Sequence, residues 1–162
     1  MRKLLLTLLF IGACFFSSLY AQDTQPTQSS GPDYKLGLGL RLSSAAPTLS
    51  NSVSIKYMMP RGNAALEGLI SFGDRFGLGG LYEIHRPLNA TPGLKWFYGA
   101  GAYVGFQSGD TYLGPTGILG LDYKFDKIPL NLSLDWKPEL DIIPKINFVP
   151  DAFALSARFT LQ

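Results

Sequence analysis

The stretch Leu94–Gln107, LKWFYGAGAYVGFQ, decides the fold. Leu94, Trp96, Tyr98, Ala100, Ala102, Val104 and Phe106 fall on one parity, and Lys95, Phe97, Gly99, Gly101, Tyr103, Gly105 and Gln107 on the other. Side chains of an extended chain point to opposite faces in turn, so period two means a β-strand with one apolar face. The other face is mostly small, polar or charged.

The same pattern recurs outward from this stretch in both directions. Leu130–Leu140 sets Leu130, Leu132, Leu134, Trp136, Pro138 and Leu140 against Asn131, Ser133, Asp135, Lys137 and Glu139. Tyr34–Ser43, Leu113–Phe125 and Phe153–Gln162 alternate likewise, and Val53–Met59, Ala64–Phe72 and Phe76–His85 do so more weakly. No long segment has the helical period. Eight strands, an even number, predict an all-β fold: an eight-stranded antiparallel up-and-down transmembrane β-barrel over residues 34–162.

The connections point the same way. Arg61-Gly62-Asn63, Asp126–Pro129 and Arg86–Gly93 join strands at one rim. The two longest links, Ser43–Asn51 and Asp141–Pro150, fall at the other, beside the short turns Gly73-Asp74-Arg75 and Ser108–Asp110. Short inner turns and longer outer loops are a feature of outer-membrane barrels, with both termini on the inner side.

Ahead of the strands, Met1-Arg2-Lys3 supplies positive charge, Leu4–Phe16 is almost wholly apolar, and small residues lead to Ala21. That order predicts a secretory signal peptide over residues 1–21, too short in its apolar core to span a bilayer as a helix. Ile11-Gly12-Ala13-Cys14 offers a competing lipobox reading, with acylation at Cys14. Residues 22–33, QDTQPTQSSGPD, are polar and aperiodic and predict a flexible tether. Export to the cell outer membrane is the expected localisation. Without Arg2 and Lys3, the 14 basic residues fall to twelve, equal to the 12 acidic ones. A balanced chain without basic clusters gives no case for nucleic acid. One Cys, in the leader, and one His exclude a Cys/His metal cluster, and no cofactor motif is present.

The polar face carries Lys35, Arg41, Lys56, Lys95, Lys124, Lys137 and Arg158 with Glu67, Glu83, Asp122, Asp135 and Glu139. In a soluble, lipocalin-like barrel this face would meet water and the apolar one would line a ligand cavity. Three features favour the opposite orientation. Aromatic residues flank the apolar face, with Tyr34, Tyr57, Tyr82, Trp96, Tyr98, Tyr123, Phe125 and Phe159 toward one rim. Phe72, Phe76, Phe106 and Phe153 lie toward the other. Such girdles match a membrane cross-section. The polar face is rich in glycine, which suits the narrow interior of eight strands. Nearly all strand charges share this face, and a Lys or Arg on the lipid side would cost about 2–4 kcal/mol. The expectation is an interior network of paired charges and no wide channel.

The stretches GLYEIHRP (Gly80–Pro87), GLKWFYGAGAYVGF (Gly93–Phe106), GILGLDYKF (Gly117–Phe125) and LNLSLDWKPEL (Leu130–Leu140) resemble small exported outer-membrane barrels of the OmpA and OmpX type. The resemblance implies outer-membrane lipid and the outer-membrane assembly machinery as partners, and no catalytic residues. Such barrels usually end on an aromatic residue, whereas here Phe159 lies three residues inside Gln162.

His85, the single histidine, ends the fourth strand at the inner rim, bonded to neighbours such as Glu83 or Lys95. Barrel enzymes that edit lipid A use the outer rim, so a lipid-modifying enzyme is the alternative and no enzymatic activity the expectation. Asp135 and Glu139, with Lys137 between them, read as a salt-bridge ladder. Glycines at Gly37 and Gly39 lie within a strand and bind no phosphate. The outer loop Asp141–Pro150 carries Ile142, Ile143, Ile146, Phe148 and Val149, which read either as a contact site for a surface partner, protein or lipid, or as residues resting on the barrel rim or in the headgroup zone.

Overall fold

The computed structural model describes residues 34–60, 63–88, 91–150 and 152–162. The leader, Cys14 and the 22–33 tether lie outside the described residues, as do Arg61 and Gly62 of the first inner turn. The described residues contain no helix. Their strands are β1 (Leu36–Ser43), β2 (Ser52–Met58), β3 (Ala64–Ser71), β4 (Phe76–Pro87), β5 (Leu94–Gln107), β6 (Asp110–Lys124), β7 (Leu130–Trp136), β8 (Glu139–Asp141), β9 (Asn147–Val149) and β10 (Phe153–Leu161).

β1 to β7 and β10 form a closed antiparallel barrel of eight strands. β5 pairs with β6, and β10 pairs with both β1 and β7, so no edge is left open. The apolar parity faces outward: Leu40 is 62% exposed and Leu134 55%. The polar parity faces the lumen, where Arg41, Lys56 and Glu83 are wholly buried. This inverts the usual soluble pattern, in which charged side chains are almost never fully buried.

Three details depart from the expected elements. The strand expected over Leu130–Leu140 is interrupted at Lys137-Pro138, since Pro138 has no N–H to offer a neighbour. The register against β6 nevertheless continues across the break, from Leu119↔Trp136 to Thr116↔Glu139. Asp141–Pro150, expected to be a loop, is largely a β-hairpin. β8 and β9 pair through Leu140↔Phe148, and Ile142 N–H donates to Leu113 O at 2.8 Å. Tyr34 lies ahead of β1 rather than in it, and it turns inward against Met58 and Ala65 instead of joining the aromatic rim.

The long outer link also behaves differently from expectation. Residues 44–51 leave β1 and fold into the mouth of the barrel, burying Ala46, Thr48 and Leu49. Leu49 reaches an apolar layer of Leu69, Leu81, Phe97, Tyr103 and Ile118. Room is made by glycine: a Cβ at Gly79 would lie 2.6 Å from Leu49 Cδ1, and one at Gly77 2.6 Å from Thr48 O. The inward glycines therefore accommodate an inserted segment as well as long charged side chains.

Candidate functional site: the polar lumen

The lumen holds two polar layers separated by the apolar layer around Leu49. Toward the start of β1 and the end of β10, seven side chains from six strands close a ring. Arg158 of β10 pairs with Glu67 of β3. Lys56 of β2 lies 3.6 Å from Glu67 and 2.8 Å from Glu83 of β4. Glu83 Oε2 is 2.9 Å from His85 Nε2, and His85 Nδ1 is 3.4 Å from Asp122 of β6. Asn131 of β7 donates to Asp122 and accepts from Arg158 Nη1 at 3.4 Å, which completes the circuit.

Ser54 and Ser133 fasten this ring to the wall. They accept from Arg158 Nε at 2.7 Å and Nη1 at 2.8 Å, and Ser54 Oγ donates to Glu67 at 2.5 Å. Phe97 lies beneath, stacked on His85 at 5.0 Å between centroids, with Lys56 Nζ 4.5 Å above its ring. Charged groups taken out of water must be paired, and the ring sets Lys56 and Arg158 against Glu67 and Glu83, while Lys56 Nζ, Glu67 Oε2, Glu83 Oε1 and His85 Nδ1 have no hydrogen-bond partner within the protein.

The second layer, at the outer mouth, is organised around the inserted segment. Glu139 accepts from the backbone N–H of Thr48 at 3.1 Å and of Leu49 at 2.9 Å, and pairs with Lys137 at 2.8 Å. Arg41 donates to Leu49 O at 3.2 Å and to Asp135 at 2.5 Å. Arg75 pairs with Asp141 at 3.1 Å, donates to Thr48 Oγ1 at 3.0 Å and lies 3.4 Å over the Tyr112 ring. Tyr103 O–H donates to Asp141 at 2.9 Å. Some atoms in this layer, Arg41 Nε and Asp135 Oδ2 among them, have no hydrogen-bond partner within the protein.

Of the twelve charged residues expected inside, nine occupy these layers: Arg41, Lys56, Glu67, Glu83, Asp122, Asp135, Lys137, Glu139 and Arg158. Lys35 does not, because it precedes β1 and is exposed at the rim. Lys124 is diverted to the β6–β7 turn, where its ammonium donates to the carbonyls of Phe125 and, at 3.1 Å, Ile128. Lys95 is half-buried opposite Asp122 in the β5–β6 register. Asp135 and Glu139 do not form one ladder with Lys137. Asp135 takes Arg41 instead, while Lys137 and Glu139 pair. His85 is a full member of the ring, buried beside Glu83. Among residues not expected at the site, Asn131, Ser54 and Ser133 share the inward parity and were readable from it. Arg75, in an outer turn, was not.

Ile142, Ile143, Ile146 and Phe148 are all exposed on the β8–β9 hairpin, Ile146 at 82%. No group of metal-ligating side chains occurs among the described residues.

The class defined by this fold is the small closed antiparallel barrel with a charged lumen and an apolar exterior. No protein family matches the chain, and neither a curated protein nor a solved structure does so.

Proposed function

We propose that the protein is an integral outer-membrane barrel of the general OmpA and OmpX kind, exported by its leader and acting as a structural or surface-contact element rather than a pore or an enzyme. The observation that carries this reading is the inverted barrel. Leucine, isoleucine and aromatic side chains cover the outside of every strand, while arginine, lysine and glutamate fill the inside. A continuous apolar exterior is costly in water and stable in acyl chains, and a closed barrel satisfies its own backbone there.

The absence of conduction follows from the filling. The ionic ring, the apolar layer and the inserted segment occupy successive levels of a lumen with little spare width. The non-enzymatic reading is supported by His85. Its ring nitrogens face Glu83 and Asp122 and its face is covered by Phe97, so no reacting group has access to it. The hairpin at the outer rim is the candidate contact surface.

The test is fractionation followed by a gel of unboiled and boiled samples. Recovery with outer membranes, and a mobility that changes on heating, is the expected result. Recovery as soluble periplasmic protein overturns the reading. Leu134→Arg, at the outward face of β7, is expected to destabilise a membrane-inserted barrel by about 2–4 kcal/mol. A change within about 0.5 kcal/mol, the usual result for a surface site in water, contradicts insertion.

A further inference from the structure

The outer hairpin has two unlike sides. Glu139 and Asp141 are buried toward the mouth, and Asn147 Nδ2 donates to Asp141 Oδ2 at 3.5 Å. The opposite side carries Leu140, Ile142 and Phe148, with Leu140 directly across from Phe148. This alternation continues that of β7 without a change of face, because the β6 register runs unbroken across Lys137-Pro138. Leu113, outward on β6, bridges to Ile143 and ties the hairpin to the wall. The apolar exterior of the barrel thus runs past the rim and onto the hairpin without a polar break.

The height of this wall indicates what meets it. From Leu130 to Ile142 the chain extends roughly 40 Å at ~3.4 Å per residue. That is roughly 30 Å of height at a strand tilt of ~40°. The apolar band of a membrane barrel is only ~25 Å tall. The hairpin tip therefore stands just above the acyl region, at the depth of the headgroups. Its chemistry fits that depth. Exposed Lys145 sits between Ile143 and Ile146, a cation on an aliphatic tip that can reach anionic headgroups while its neighbours rest in the boundary layer.

We propose that the outward side of the β8–β9 hairpin is a lipid-contact surface, seated on the headgroup–acyl boundary of the outer leaflet, and not a docking site for a protein. This deepens the membrane reading above and rests on it.

Nitroxide accessibility tests it. The only cysteine in the chain is Cys14, so with Cys14→Ser single labels can be placed at will. Labels at Phe148→Cys and Ile146→Cys are compared with Leu134→Cys in the apolar band and Asp126→Cys in the exposed inner turn. The full chain is reconstituted in vesicles of phosphatidylethanolamine and phosphatidylglycerol, and collisions with oxygen and with a water-soluble nickel chelate are measured.

The expected result is a severalfold loss of nickel collisions at Phe148 and Ile146 relative to Asp126, with a smaller oxygen gain than at Leu134. Free nickel collisions at both hairpin sites, with Leu134 still sheltered, place the hairpin in water. That overturns this inference alone. An immobilised Phe148 label shielded from both reagents points to a second copy of the chain and also overturns it. Free nickel collisions at Leu134 remove the membrane reading, and the inference falls with it.

Discussion

The two polar layers fill the same lumen but are held in different ways. The ring of Arg158, Glu67, Lys56, Glu83, His85, Asp122 and Asn131 consists of side chains whose backbones are fixed by the sheet register. The outer layer is built around residues 45–50, which lie between the last ladder bonds at Ser44 and Asn51. Glu139, Arg41 and Arg75 hold that segment through side-chain bonds to Thr48 and Leu49. Loss of a ring contact therefore acts on the barrel itself, whereas loss of an outer contact acts first on the segment. Local opening at a cost below global unfolding is the ordinary consequence of such an arrangement.

The largest effect is expected in the ring. Arg158→Gln leaves Glu67 with the Ser54 hydroxyl and one cation, Lys56 at 3.6 Å, to offset its buried charge. Removing one partner of a buried pair costs about 3–5 kcal/mol. The denaturant midpoint of the whole barrel is expected to fall accordingly, followed by the folded-to-unfolded shift on a gel. A loss under about 1 kcal/mol would mean that the ring carries little of the stability.

Glu139→Gln sharpens the contrast. It removes the charge that accepts two backbone N–H groups and pairs with Lys137, an expected cost of about 1.5–3 kcal/mol. Hydrogen exchange is the telling readout. The amides of Thr48 and Leu49 are expected to lose protection while those of β2 and β3 keep theirs. Uniform loss in all three segments would show that the inserted segment and the barrel open together, and the distinction between the layers would fail.

Lys35→Ala gives the smallest effect. Lys35 shares the parity of the ring but is exposed ahead of β1, so a change within about 0.5 kcal/mol is expected. A cost of several kcal/mol would return Lys35 to the ring.

These differences follow what was legible in the residues. Period two gave Lys56, Glu67, Glu83, Asp122 and Arg158 the inward face they take within their strands, whereas His85, read as a rim residue, is buried in the ring. Parity misled at strand ends. Lys35 and Lys124 have the inward phase, but one is beyond β1 and the other closes β6, free to reach the turn carbonyls. Pro138, Pro144 and Pro150 made the outer hairpin read as a loop, since its two strands are only three residues each. No periodicity marked the 44–51 insertion. Its trace in the sequence was the inward glycine at Gly77 and Gly79, which could be read only as room for charged side chains.

By itself, the sequence determined the eight barrel strands, the face taken by residues in the interior of those strands and the polar character of the lumen. These depend on an alternation that a one-residue slip would invert throughout, so they are strongly encoded. Only the tertiary structure decided which charges meet, because the partners of Arg158, Lys56 and Arg41 come from other strands across a closed barrel. It also decided that one outer link enters the mouth, since that depends on the space left by glycines on two neighbouring strands and on a carboxylate about ninety residues further along the chain.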